Sequence, residues 1–469
     1  MHPDPASAAD PGADQVASSV GDAVGDAVGE GPSDALQVRT FRLELLAGTL
    51  WAGSLAILEM GPALAKKAFD ASDFEVALLT SGQSLGLVLS FFTSHLSTRV
   101  SRVRLAFWLH LASNLALVPT FFLRPSFALA FVLLLAAARV GHSMAVPARI
   151  LVYRSNFPAA SRGRLVGRLN RAKLLLTTGF AFVVSALFDW NFGTPELVRL
   201  LGECPVPADR MVNWAVPVLA VLGVLGCFVY ARIAEAKCPV DPLVPPLPAS
   251  TSLDTLREFV QVWRQDRAFR RYETFFFVFG FANIMSIPLT QIHAVDRLGA
   301  SYFDLAMINV VLVQGLMALS MVAWGDRLDR SNPSRLRGVL NLVLAVDFVM
   351  LAVAPAIGWV YVGRIFRGIA MGGGTLLWML GPLWFAGNSR KEPIYTGIHA
   401  VLTGVRWGLA PFVGVWLKAT FADDSRPIFW IGAAILVLTA VAMLREGRRG
   451  GSTPPAVPPP IVPPSPPRA

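Results

Sequence analysis

Arginines and histidines interrupt several otherwise apolar stretches of this chain, and they do so at helical spacing. Arg139 and His142 lie three apart and share a face with Arg149 farther on; Arg364 and Arg367 repeat the three-residue step. His399, Thr403 and Arg406 form one stripe, and Asn283, Ser286, Thr290 and His293 form another. Guanidinium groups grip carboxylate or phosphate through a planar fork, so arginines converging on a cavity suit an anionic partner. Glu59 is the acid in comparable surroundings, and a half-buried carboxylate can carry a proton. The competing expectation is that the arginines brace helices through carbonyls or acids and that Glu59 meets Arg139 or solvent.

No other constellation promises covalent chemistry. GQSLG at 82–86 has the spacing of a hydrolase nucleophile elbow, but it sits in an apolar run instead of a strand-to-helix turn. Gly82 and Gly86, four apart, suit close helix packing. The triple glycine 372–374 lacks the Lys-Ser/Thr of a phosphate loop, so ATP drive has no support. Cys204, Cys227 and Cys238 lack metal-ligand spacing. The expectation is no enzyme, no cofactor and no metal.

The elements that hold these residues follow from hydropathy. The chain has 469 residues, 54% apolar and 15% charged, with a mean hydropathy of +0.54. Runs of about 20 apolar residues recur, and in a bilayer such runs are helices because only a helix pairs its own backbone groups there. Spans are predicted near 42–61, 75–95, 103–123, 126–149, 171–189 and 212–232, then near 272–293, 303–324, 337–355, 358–385, 395–418 and 427–444. The fold class is all-α membrane protein: about 12 transmembrane helices in two six-helix bundles, residues 41–232 and 269–445. Residues 233–268 form a cytoplasmic connector that starts Pro-rich and continues as an amphipathic helix from Ser252 or Asp254. Residues 1–40 read as a disordered acidic tail and 446–469 as a Pro-rich one. Most of the 41 lysines and arginines fall in segments on the side of the N-terminus. Both termini are therefore expected in the cytoplasm, and the net charge of +10 is a topology signal, not a nucleic-acid footprint.

The halves resemble each other in residue order. ASDFE at 71–75 matches ASYFD at 300–304, Phe41-Arg42 matches Phe269-Arg270, and Gly61-Pro62 matches Ile287-Pro288, at offsets of 226 to 229 residues. After the second span stands SHLSTRVSRVR and after the eighth GDRLDRSNPSR. In the second copy Gly325, Asp329 and Arg330 have a G-x-x-x-D-R spacing that resembles the signature loop of the major facilitator superfamily. The first copy keeps Arg99 and Arg102 but has Ser94 and Thr98 where that family has Gly and Asp. Arg364, Gly368 and Gly372 resemble the family's R-x-x-x-G-x-x-x-G row, whose first-half place holds Arg139 and Ser143. Gly404, Gly408, Pro411 and Gly414 are broadly similar to its glycine-proline antiporter motif, though in helix 11 and not helix 5.

The resemblance covers residues 40 to 445 and implies a secondary transporter in which the two bundles alternate around a central cavity. Helices 1, 4, 7 and 10 line that cavity in the family, with 2, 5, 8 and 11 beside them, so Glu59, Arg139, His142, Asn283, Arg364, Arg367, His399 and Arg406 become the candidate substrate or ion pathway. Arg99, Arg102, Gly325, Asp329 and Arg330 become candidate latches between conformations. Asp347 falls in helix 9, peripheral in that family, where a structural role is expected. The expected partners are a small-molecule solute, the lipid bilayer and protons, for a monomer in a bacterial inner membrane. An organic anion is the favoured solute; efflux of lipophilic compounds and a transporter-like receptor or scaffold without transport are the alternatives.

Overall fold

The computed structural model describes residues 33–96, 100–191, 195–204, 206, 210–235, 252–328, 331–386 and 391–449. Among the described residues the regular structure is helical, without a strand. Six long helices make the first half: α1 (Asp34–Phe69), α2 (Asp73–Leu96), α3 (Arg102–Leu115, prolonged by a 3-10 turn at Val118–Phe122), α4 (Ala128–Asn156), α5 (Ala159–Asn191) and α6 (Met211–Tyr230). Six more make the second: α7 (Arg267–Ile292), α8 (Tyr302–Leu328), α9 (Pro333–Val353), α10 (Ile357–Ala386), α11 (Glu392–Thr420) and α12 (Arg426–Arg449). Eleven of them are long and apolar enough to cross a membrane. The twelfth, α2, has 24 residues, which at 1.5 Å each spans about 36 Å, more than a hydrocarbon core of about 30 Å.

Local chemistry sets the ends. Ser33 caps α1 by accepting from the Leu36 N–H, and Asp70 ends that helix in the left-handed region, φ 50°, behind Lys66 and Lys67. Helix α1 thus begins at Asp34, inside the segment expected as tail. Asp266 caps α7, Asn332 caps α9 with Pro333 behind it, and Ser301 with Asp304 forms a reciprocal capping box on α8. The connector helix spans Ser252–Gln265 and packs on α7 and α11. Gly82 and Gly86 of α2 face Ala136 and Ser143 of α4, so the elbow-like pentapeptide is a helix contact.

Between the halves α2 packs on α11 and α5 packs on α8, two pairs that exchange under the duplication. The apolar cores are uneven along the bundle. At the end that carries the α1–α2 and α7–α8 turns, one cluster runs through both halves, from Ile57, Phe131 and Phe188 to Leu289, Tyr302 and Phe429. Toward the opposite end each half has its own clusters, around Trp51 and Tyr230 in the first and around Phe276 and Phe348 in the second. The halves are fused at one end and separately packed at the other.

Polar fasteners sit at the fused end. Lys66 Nζ lies 3.0 Å from Asp73 and 3.2 Å from Asp296 of the other half. Lys418 Nζ reaches across to the same Asp73 at 2.7 Å, and Lys67 donates to the Ala300 carbonyl. Asp189 at the end of α5 accepts from the Tyr302 and Phe303 N–H groups at 2.8 and 2.6 Å, placing a carboxylate where the α8 dipole favours one. Halfway along, Ser84 Oγ donates to the Gly404 carbonyl at 2.8 Å.

Candidate solute and proton pathway

In the first half the main charged group is a buried quartet. Glu44 of α1 is 0% exposed. Its Oε1 accepts from Arg149 at 2.7 Å and from Lys173 of α5 at 2.9 Å, and from the Tyr153 hydroxyl. Lys173 crosses α1 at Gly48, where a Cβ would stand 2.7 Å from its Cε; only a missing side chain leaves that groove. Arg149 also lies over the Trp51 ring, 5.2 Å from its centroid. Trp51 stacks on His110 at 4.2 Å, and His110 is 5.1 Å from His142. His142 therefore looks into the body of its own bundle.

Arg139, higher on α4, is half-buried and its partners are uncharged. It donates to the Leu58 carbonyl and, at 3.4 Å, to Gln83 Oε1, while its Nε has no partner. Glu59 is exposed and makes no ion pair with it among the described residues. It lies on the face of α1 that, seven residues on, bears Lys66, the residue that bridges to the second half. Glu59 thus looks toward the space between the bundles.

The second half repeats the quartet with different bases. Glu273 of α7 is buried and meets His399 of α11, with Nδ1 2.9 Å from Oε1 and 3.1 Å from Oε2. Arg406, also of α11, crosses α7 at Gly280, where a Cβ would stand 1.8 Å from Nη1. Its Nη1 donates to the Phe276 carbonyl at 2.6 Å and its Nη2 to Thr403 at 2.8 Å. Arg337 of α9 lies against the Phe279 ring, 3.7 Å from its centroid. The indole of Trp378 on α10 donates to Thr403 Oγ1 at 3.3 Å. Asn283 turns an unpartnered, buried Oδ1 inward from α7.

The remaining predicted residues have other surroundings. Arg364 and Arg367 both pair with the fully buried Asp347 of α9, at 2.9 and 3.1 Å, and form a brace between α9 and α10. Their contacts are those of a strut. Arg102 binds Glu235 beyond α6, through its backbone N–H at 3.1 Å and its Nε at 3.5 Å, inside one half. Gly325 is helical within α8, with only Leu376 near its absent Cβ. Arg99, Asp329 and Arg330 lie outside the described residues. Cys204 and Cys227 are unpaired, and Cys238 also lies outside.

Sequence reasoning missed Glu44, Lys173, Glu273 and Arg337 as members of buried groups, and set Arg149 on the face of Arg139 and His142 without its acid. All five stand near the connector end of the helices, where basic residues look like loop charge. A signal was present: Glu44 and Glu273 follow the matched Phe-Arg pairs at an offset of 229, and Lys173 and His399 are 226 apart.

Two six-helix bundles, duplicated in sequence, fused at one end and holding buried ion groups, define a multi-pass membrane transporter rather than an enzyme. The chain belongs to the Major Facilitator Superfamily, whose model matches residues 45–386. No protein of curated function matches it. Among solved structures it is similar to the nucleoside transporter NupG in its D323A mutant (12% identity, 88% of this chain and 99% of that one, TM-score 0.64). It is also similar to a D-xylose–proton symporter (15%, 90% and 100%, 0.64). A bacterial homologue of the human lysosomal transporter Spinster, inward-facing and occupied, gives 13%, 89% and 98%, and 0.64. At these identities the likeness is one of fold.

Proposed function

We propose that this protein moves a small organic anion across a bacterial inner membrane by alternating access, coupled to protons, as a monomer with both termini in the cytoplasm. The observation that carries the reading is the imbalance of buried charge. Glu44 stands between Arg149 and Lys173. Glu273 stands near Arg406, with Arg337 a neighbour of both Arg406 and Tyr272. Each acid is outnumbered two to one, in surroundings where an uncompensated charge costs several kcal/mol. An anionic solute supplies the missing charge.

Arg139 is the guanidinium we assign to first contact, because it is half-buried, lacks a carboxylate and holds the carbonyl of the residue next to the exposed Glu59. With the connector in the cytoplasm, the fused end faces outside and the conformation described is inward-open. Protons suit an anion for an electrical reason. Moving one negative charge against 100 mV costs about 2.3 kcal/mol, and a proton travelling with it cancels that term.

The test has two stages. A thermal-shift screen of small carboxylates, phosphorylated sugars and lipophilic cations on the purified protein identifies the solute class; stabilisation by lipophilic cations alone sinks the anion reading. Uptake into proteoliposomes then compares wild type with Arg139→Ala. The expected result is at least a tenfold loss of uptake with an unchanged unfolding temperature, since the arginine makes no ion pair to lose. Undiminished uptake by the variant removes Arg139 from the site.

A further inference from the structure

We infer that the Glu273–His399 pair is the proton-binding site of this transporter, and that its proton arrives at His399 Nε2; the coupling role rests on the anion-transport reading above. The inference starts from the two halves. In each, a buried glutamate on the first helix meets a base on the fifth: Glu44 with Lys173, and Glu273 with His399. The first pair is reinforced by Arg149, whose guanidinium also binds the Glu44 carboxylate and stays charged. The second holds the one side chain type whose charge changes around neutrality. The same structural link is backed by a guanidinium on the carboxylate in one bundle and made through an imidazole in the other.

The ring geometry says where the proton goes. Nδ1 faces both carboxylate oxygens, at 2.9 and 3.1 Å, so it carries hydrogen and donates. Nε2 is buried and, among the described residues, has no hydrogen-bond partner. In the neutral imidazole that atom is a free lone pair. It takes one proton, no bond breaks, and the pair becomes an imidazolium–carboxylate ion pair, shorter and stronger than a neutral hydrogen bond in a dry site.

The ring is enclosed by groups from several helices. From α7, Glu273 faces it, and around that carboxylate stand Tyr272 of α7 and Arg406 of α11, with Arg337 of α9 a neighbour of both. From α10, Trp378 places its ring 5.9 Å away, and Phe276 packs edge-on at 4.7 Å. The connector offers Phe259, which abuts α11 at Gly397. Arg406 gives Glu273 a counter-charge in either state, so the added proton raises the net charge of the cluster by one. A solute anion balances it. Helix α11 also packs on α2 of the other half, so a change in the α7–α11 link reaches the seam between the bundles.

Two measurements on the full-length protein in nanodiscs and proteoliposomes decide the matter. Tryptophan fluorescence is titrated from about pH 5 to 8 without solute. We expect a one-proton quenching step from imidazolium beside Trp378, lost in His399→Gln and in Trp378→Phe but kept in Glu59→Gln. A wild type without that step, or a step surviving in His399→Gln, overturns the site with no reference to transport. Solute exchange at equal pH is then compared with accumulation driven by a pH gradient. His399→Gln should keep exchange and lose gradient-driven accumulation at least tenfold; accumulation that persists refutes coupling at this residue. Wild type that exchanges no anion sinks the anion-transport reading instead, and the fluorescence step still decides whether the proton site exists.

Discussion

The two bundles solve one problem in two ways. Each must bury an acid on its first helix and a cation from its fifth, and each clears the crossing with a glycine, Gly48 under Lys173 and Gly280 under Arg406. The first bundle ties Glu44 to three partners, Arg149, Lys173 and Tyr153. The second gives Glu273 a single imidazole and sends Arg406 to a carbonyl and a threonine. A charge held by several partners is locked in place, whereas one held by a single imidazole is more readily released. The asymmetry also extends to the fourth helix of each half. Arg139 keeps uncharged partners, while Arg367, 228 residues later, is paired with Asp347.

Replacing the acids breaks or confirms this contrast most directly. Glu44→Gln leaves Arg149 and Lys173 buried without their carboxylate and should cost about 3–5 kcal/mol, read as a large fall in unfolding temperature and in folded yield. Glu273→Gln removes the partner of one imidazole and should cost about half as much. Equal losses would mean that the second acid is held as firmly as the first.

A smaller effect is expected at the seam. Asp73→Asn weakens the links to Lys66 and Lys418, worth about 1 kcal/mol together because the carboxylate is partly exposed. That shifts the balance toward opening of the fused end roughly fivefold, measurable as labelling of a cysteine placed at Leu55. Unchanged labelling would assign closure to the apolar cluster alone.

The smallest effect belongs to the α11–α12 turn, which lies outside the spanning helices. The Arg426 guanidinium and N–H hold the Asp424 carboxyl down at about 2, below its ordinary value of 3.8, with Arg297 adding to the pull. A depressed carboxylate contributes stability above its unfolded value, and the contribution fades as pH falls from about 4 through 2. Asp424 is partly exposed and its arginine partners are largely in solvent, so Asp424→Asn should cost only about 0.5 kcal/mol at neutral pH and close to nothing at pH 2.

Much of the fold was legible because the bilayer reads sequence coarsely. Each predicted span falls on one long helix, and the paired prolines Pro62 and Pro288 sit inside equivalent helices. The candidate pathway was legible in part. His399 and Arg406 could be placed on one helical stripe, and their partners on α7 could not, since Glu273 stood at a predicted span edge. Lys173 and Arg337 were hidden for the same reason. These residues sit in the end turns of the predicted apolar runs, and those end turns are where buried cations meet acids from other helices. Hydropathy marks where a helix meets lipid; it does not say which residues at the ends of a span are buried against another helix.

The fasteners at the fused end have a consequence of their own. Asp296 is 43% exposed and Asp73 21%, so both lysine–aspartate links stand within reach of dissolved ions. At about 0.15 M salt the screening length is about 8 Å, and such links weaken as the medium becomes saltier. The buried pairs deeper in the bundles feel little of this. Ionic strength on the sealed side therefore acts on how firmly the two halves are held shut there.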